Sequence, residues 1–260
     1  MTGRAQTGFV VLTFPRSGSA WLTDTLDSHP EIRAYSELFL PERRGVPSYA
    51  AADLPYFDEY LARVPQSTRH PRVVHQIRYM RKLYADRPGV RAVGFKLMYQ
   101  QLRKNAWMLP YFSARRVRVV HLIRANLLDA VISYEVAQET GVFHARRGED
   151  VPQRLASISP GELRDRLEHM EWAIARGRIW LERFRLPRID VAYEELVGRR
   201  EETFERIMRF LGVEPDVAVL DSGLVRADAN RGLERVVNAD AVRDALTGTR
   251  FEWMLGETLP

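Results

Sequence analysis

The chain has 260 residues, 45% of them apolar and 28% charged, a globular composition rather than a disordered or fibrous one. Thirty-nine basic residues against 34 acidic ones leave a net charge of +5, too small on this length to argue nucleic acid by itself. Cysteine is absent, which excludes a disulfide scaffold, a thiolate metal site and a cysteine nucleophile together.

All the basic residues except Lys82, Lys96 and Lys104 are arginine. That bias has two readings: GC-rich coding, or an anionic ligand, because guanidinium forks match phosphate and sulfate oxygens. No segment approaches the roughly 18–20 consecutive apolar residues of a membrane span. Met1–Thr7 is short and polar with no apolar core after it, so no signal peptide is expected. Together with the lack of cysteine, this predicts a soluble cytoplasmic protein with no membrane partner.

Gly8–Phe14 is an apolar run ending at Pro15 and is predicted to be a buried strand. A turn at Arg16–Ser19 leads into a helix over Ala20–Ser28, stopped by His29-Pro30. Ile32–Ser36 fits a short strand. Residues 41–72 read as a loop with a helix near Tyr56–Arg63, and Val73–Tyr84 as a helix. Arg91–Tyr99 and Val117–Ile123 are further strands. Arg124 follows the latter, then a helix to about Thr140, ended by Gly141. From Glu162 to Phe184, the positions Leu163, Leu167, Met170, Ile174 and Trp180 are spaced for one buried helix face. Ile189–Ala192 is a fourth long-range strand candidate, Glu201–Leu211 a helix capped at Gly212, and 213–260 is mixed. Strands alternating with helices predict an α/β fold with a central parallel sheet flanked by helices. No linker appears, so one domain is expected over 1–260.

Two stretches carry chemistry. In FPRSGSAWL, Phe14–Leu22, a strand runs through a small-residue turn into a helix N-terminus. Such a turn aims backbone N–H groups and the helix dipole at one point, where an anion binds. Gly18 permits close backbone approach, Ser17 and Ser19 offer hydroxyls, and Arg16 adds a permanent charge. The G-x-x-x-x-G-K-[ST] pattern is absent, so the nucleotide lysine and magnesium hydroxyl are missing. A corner with incidental serines would look the same. In VRVVHLIRANLLDAVISY, Val117–Tyr134, a strand delivers Arg124 to the carboxyl edge of the sheet, where α/β ligands sit. Ser133 lies nine residues on, about two turns into the next helix at roughly 1.5 Å per residue. The plain alternative pairs Arg124 with a surface carboxylate and turns Ser133 into the core.

Taken together, the two motifs resemble the sulfotransferases that use 3′-phosphoadenosine 5′-phosphosulfate (PAPS). FPRSGSAWL is similar to their 5′-phosphosulfate loop, and HLIRANLLDAVIS to their 3′-phosphate motif. VAYEELVGRREETFERIMRFLGV, Val191–Val213, and more weakly GFKLMYQQ, Gly94–Gln101, are similar to later family segments, the last to bacterial carbohydrate sulfotransferases. The resemblance implies a P-loop-like turn in which Arg16 contacts the sulfuryl group and Ser17, Gly18, Ser19 and Ala20 cradle the 5′-phosphate. It implies Trp21 against the adenine, Arg124 and Ser133 on the 3′-phosphate, and Tyr193 on the nucleoside, although core packing explains Tyr193 equally well. Ala20 stands where Thr is usual, which removes one hydroxyl donor worth ~1 kcal/mol. The glycine-rich C-terminal loop of the cytosolic branch is missing, and Arg226, Arg231 or Arg235 could supply its charge, with Arg231 taken as the cofactor contact.

Sulfuryl transfer needs a base, and Glu37 in HPEIRAYSELF, His29–Phe39, resembles the catalytic Glu of the tyrosylprotein and trehalose branches. A solvated surface acid is the alternative, and His75 is the rival base. His121 sits inside an apolar strand and reads as a core histidine. Lys96 follows a strand and could reach the sulfonate. No metal is expected, since the six histidines are scattered. Aromatic residues of 41–90 and 141–160, with His144, would form the substrate lid over a small-molecule, carbohydrate or natural-product hydroxyl. Two other readings stay open: a P-loop-type nucleotide kinase, and a non-catalytic module binding polyanions. The sequence leaves the oligomeric state undetermined.

Overall fold

The apolar run at the N-terminal end becomes the centre of the molecule. In the computed structural model, which describes residues 6–40, 54–65, 70–149, 152, 154–225 and 232–256, strand β1 is Thr7–Thr13. Phe9, Val10, Val11 and Leu12 are all buried, because both faces of β1 are covered. Helix α1 (Ser19–Asp27) and strand β2 (Ile32–Tyr35) follow, then α2 (Phe57–Ala62), α3 (Arg72–Leu83) and β3 (Ala92–Met98). Next come α4 (Tyr99–Lys104), α5 (Met108–Ala114), β4 (Arg118–Ile123), α6 (Leu127–Thr140) and the short β5 (Ala145–Arg146). The chain continues through α7 (Pro160–Arg183), β6 (Arg188–Ala192), α8 (Tyr193–Gly198), α9 (Arg200–Leu211), β7 (Leu224–Val225) and α10 (Ala239–Leu246).

Five strands form one parallel sheet in the order β2-β3-β1-β4-β6, and β5 and β7 make a separate antiparallel pair. Side chains alternate along each strand. Val10, Leu12, Val93, Phe95, Leu97 and Val119 pack on one face with Tyr79, Phe112 and Leu181, from α3, α5 and α7. Phe9, Val11, Val120 and Leu122 pack on the other with Leu22, Leu26, Phe204 and Leu211, from α1 and α9. A third cluster joins α6, α7 and α10 through Leu128, Val131, Leu167 and Val242.

The 24-residue α7 spans about 36 Å. It is locked to the sheet through Tyr99, whose ring fills the space where a Cβ on Gly177 would lie 2.5 Å away. The Tyr99 hydroxyl is hydrogen-bonded to His121 Nε2. His121 Nδ1 in turn meets Asp190 Oδ1 at 2.9 Å, so the buried histidine is a core residue as its strand position predicted. The hydrogen bond from His121 is the main cause holding the Asp190 carboxyl below the usual carboxylate range. The order of the sheet leaves its carboxyl edge open beside β1, where the chain turns to opposite sides. Among the described residues no helix is long and apolar enough to cross a membrane.

Candidate active site

The turn after β1 is built under strain. Arg16 has φ +65° and Gly18 φ +75°. The left-handed region costs a non-glycine residue about 1–2 kcal/mol, and such strain gathers at sites that need a particular backbone direction. Gly18 is required twice over, because a Cβ there would also lie 2.6 Å from the Tyr193 ring. As N-cap of α1, Gly18 has no side chain to offer, and no acid stands in the first turn. The first amides of α1, from Ser19 to Trp21, are therefore left for an acceptor from outside, at the positive end of the helix dipole.

Two more elements bring their charge to this turn. Arg124, at the end of β4, donates from Nη1 to the Arg16 carbonyl at 3.1 Å and pairs through Nη2 with Asp129 at 3.1 Å. Its guanidinium lies 4.7 Å over the Tyr193 ring, and its Nε is buried without a partner. Arg16 donates from Nε to Ser133 Oγ at 3.0 Å and from Nη1 to the Phe143 carbonyl. Burial, then Arg235 and Arg124, push the Arg16 guanidinium down to about 10, so it stays charged at neutral pH. Arg235 and Arg124 thus both act on the buried Arg16 beside an uncapped helix end. An anion placed there relieves both costs.

A second cluster forms across β2, β3 and α4. Lys96 is only 2% exposed, and its Nζ lies 3.2 Å from Glu37 Oε1. Gln101 donates from Nε2 to Glu37 Oε2 at 3.0 Å and accepts the Met98 N–H at 3.0 Å. His144 connects the two clusters. Burial first, then Lys96, Arg16 and Arg146, push its imidazole down to about 3, so it is neutral at physiological pH.

Several sequence expectations meet at this turn. Arg16, Ser17, Gly18, Ser19 and Ala20 form it, and Arg124, Ser133 and Tyr193 converge on it. Ser133 Oγ is bonded to Arg16 Nε rather than to Arg124. Glu37 and Lys96, read from separate segments, are each other's partners. Three further expectations lie away from this meeting point. The partly buried Trp21 indole packs edge-on to Phe204 of α9 at 5.8 Å. Arg231, like Arg226, lies outside the described residues, and Arg235 is the C-terminal arginine whose charge acts on Arg16. His75 is buried in α3 beside the His70 ring at 5.8 Å, with Nδ1 unpartnered, while Glu37 is the group linked to Lys96. Asp129, Gln101 and the Phe143 carbonyl were missed. Their partners lie up to 127 residues away; Asp129 and Gln101 fall inside recognised motifs, but neither contact leaves a local signal there. Among the described residues no group of three or more His, Asp or Glu side chains could hold a metal ion.

A cavity of about 330 Å³ adjoins the turn, walled by Phe14 and Pro15 and by residues of α4, α6 and α7.

No curated protein matches the chain. Among solved structures, it is similar to a sulfotransferase from Mycobacterium avium at 15% identity, covering 94% of this chain and 76% of that one, with a TM-score of 0.47. A sulfotransferase from Alicyclobacillus acidocaldarius is 20% identical over 83% of this chain and 86% of its own, with a TM-score of 0.44. A mouse sulfotransferase complexed with PAP is 15% identical, with a TM-score of 0.44; the match covers 94% of this chain but only 65% of the mouse protein's length. The model of the sulfotransferase family matches residues 9–216, from β1 past the end of α9, and so includes Arg16 and Arg124 but not Arg235. That match spans most of the chain, and the protein belongs to the sulfotransferase family.

Proposed function

We propose that the chain moves a sulfuryl group from PAPS to a hydroxyl of a small-molecule, carbohydrate or natural-product acceptor, working as one domain over residues 1–260. The observation that carries this reading is the meeting of Arg16, Arg124 and Arg235 at the uncapped N-terminus of α1. The orphaned Arg124 Nε, the free amides and the depressed Arg16 are each satisfied by a polyanion.

In this reading the α1 amides with Ser17 and Ser19 hold the 5′-phosphate, and Arg124 with Ser133 holds the 3′-phosphate. Tyr193 lies under Arg124 and borders the nucleoside. When bound, PAPS supplies the sulfuryl group, whose sulfur leaves the phosphate's bridging oxygen and bonds to the acceptor oxygen. Arg16 would face the charge that develops on that leaving oxygen, and a fixed donor in a partly dry site needs no reorganisation. Lys96 exchanges Glu37 for the sulfonate oxygens. The freed Glu37 carboxylate takes the acceptor's hydroxyl proton as general base.

The test is calorimetric titration with 3′-phosphoadenosine 5′-phosphate (PAP), without magnesium. Binding without the metal is expected. Absence of binding to folded protein, with binding of ATP and magnesium instead, would replace this reading with a nucleotide kinase.

A further inference from the structure

The cavity beside the turn has an uneven chemistry. Its floor is apolar and aromatic, with Phe14, Tyr99 and Tyr134 among its walls. Its rim on α4 and α7 carries Arg103, Arg166 and Arg176, and among the described residues no Asp or Glu lines it. Arg166 is committed to Glu135. Arg176 instead sits between two indoles, 5.0 Å from the Trp172 ring and 4.9 Å from the Trp180 ring. Stacking of this kind holds a guanidinium in place while leaving its N–H edge available. Trp172 is 48% exposed, and its ring also stacks on His169 at 5.8 Å.

The cavity also shares its walls with the reacting centre. Pro15 precedes Arg16, Tyr134 follows Ser133, and Arg16 and Ser133 are bonded at 3.0 Å. The Tyr134 ring lies 6.5 Å from that of Phe143, whose carbonyl accepts from Arg16. The floor is rigid, because Tyr99 is fixed by His121 on one side and Gly177 on the other, with its ring 4.8 Å from that of Phe14. A volume of 330 Å³ falls at the lower end of small-ligand pockets.

We propose that this cavity is the acceptor-binding site and that it selects a flat, apolar hydroxyl compound carrying an anionic group. The apolar body lies against Phe14 and Tyr99, and the anion meets Arg176 and Arg103 at the rim. The assignment rests on the sulfuryl-transfer reading, whereas the ligand class rests on the cavity alone.

The experiment titrates 6-hydroxy-2-naphthoate and its uncharged carboxamide into the full-length protein loaded with PAP, then assays both for PAPS-dependent sulfation. The acid is expected to bind at least tenfold more tightly and to have the higher kcat/KM. In Arg176→Gln/Arg103→Gln the two compounds should bind equally. In Trp172→Ala both should weaken, with PAP affinity unchanged in every variant. Equal affinities in the unaltered protein, no binding of either compound, or a preference that survives the double substitution would each overturn the ligand class. Charge-selective binding without sulfation would overturn the assignment as acceptor site. Failure of PAP itself to bind would instead overturn the transfer reading.

Discussion

A lysine as deeply buried as Lys96 persists as a cation only with a partner, and Glu37 at 3.2 Å is that partner. The proposed base is therefore stored as an ion pair, and Gln101 fixes its second oxygen. Glu37→Gln keeps the shape and the Gln101 contact while removing the proton acceptor. Turnover should fall by ~10²–10⁴, with PAP affinity retained by calorimetry; near-normal turnover would take Glu37 out of the mechanism. Arg124 plays the opposite part, since it binds rather than reacts. Arg124→Ala should weaken PAP by about 1.5–3 kcal/mol, the range for a hydrogen bond to a charged group, and unchanged affinity would detach Arg124 from the phosphate. His144 makes a pH-dependent prediction. Its folded value of about 3 lies below the unfolded 6.5, so the unfolded chain binds the extra proton between those limits. The stability tied to the neutral imidazole is complete above pH 6.5 and drains away as pH falls toward 3. Melting curves of the unaltered protein and His144→Gln should diverge between pH 7 and pH 5, with the unaltered protein losing more. Parallel curves would mean that His144 titrates normally.

At the scale of elements, the site depends on two close approaches that only glycine permits. At Gly18 the left-handed backbone and the Tyr193 ring both exclude a Cβ. Gly18→Ala should therefore lower PAP affinity and melting temperature together. At Gly177 the backbone is ordinary helix, so alanine gains up to about 1 kcal/mol in propensity but collides with Tyr99. Overpacking costs typically 1–3 kcal/mol, so Gly177→Ala should destabilise on balance, by about 2–4 °C for each net kcal/mol. An unchanged or raised melting temperature would show that Tyr99 is not locked. The long elements were readable because their periodicity is long: β1, β3, β4, α6, α7 and α9 lie within a residue or two of their predicted bounds. The short α4, α5, α8 and α10 were missed. Six to eight residues hold too few turns for a periodic signal, and tertiary contacts stabilise such helices more than propensity does.

For the whole molecule, a buried Arg16 whose charged form is disfavoured by burial, Arg235 and Arg124 carries an electrostatic cost that a polyanion removes. PAP at 100 times its dissociation constant should stabilise the fold by about 2.7 kcal/mol, visible as a rise in melting temperature that shrinks with added salt. A melting temperature indifferent to PAP would contradict the site. The sequence by itself determined the α/β class and the strand, small-residue turn and helix start around Arg16, while Arg124, Ser133 and Glu37 became candidates through the family resemblance. Those features are local: a strand, a small-residue turn and a helix start follow one another along the chain, and each leaves its own pattern. Only the tertiary structure decided that Lys96 pairs with Glu37, that Ser133 serves Arg16, that Arg235 is the third cation and that Trp21 packs on Phe204. Each of these joins side chains from segments far apart in sequence. Which ones meet depends on strand order and on how helices pack across the sheet, and no window of sequence records that.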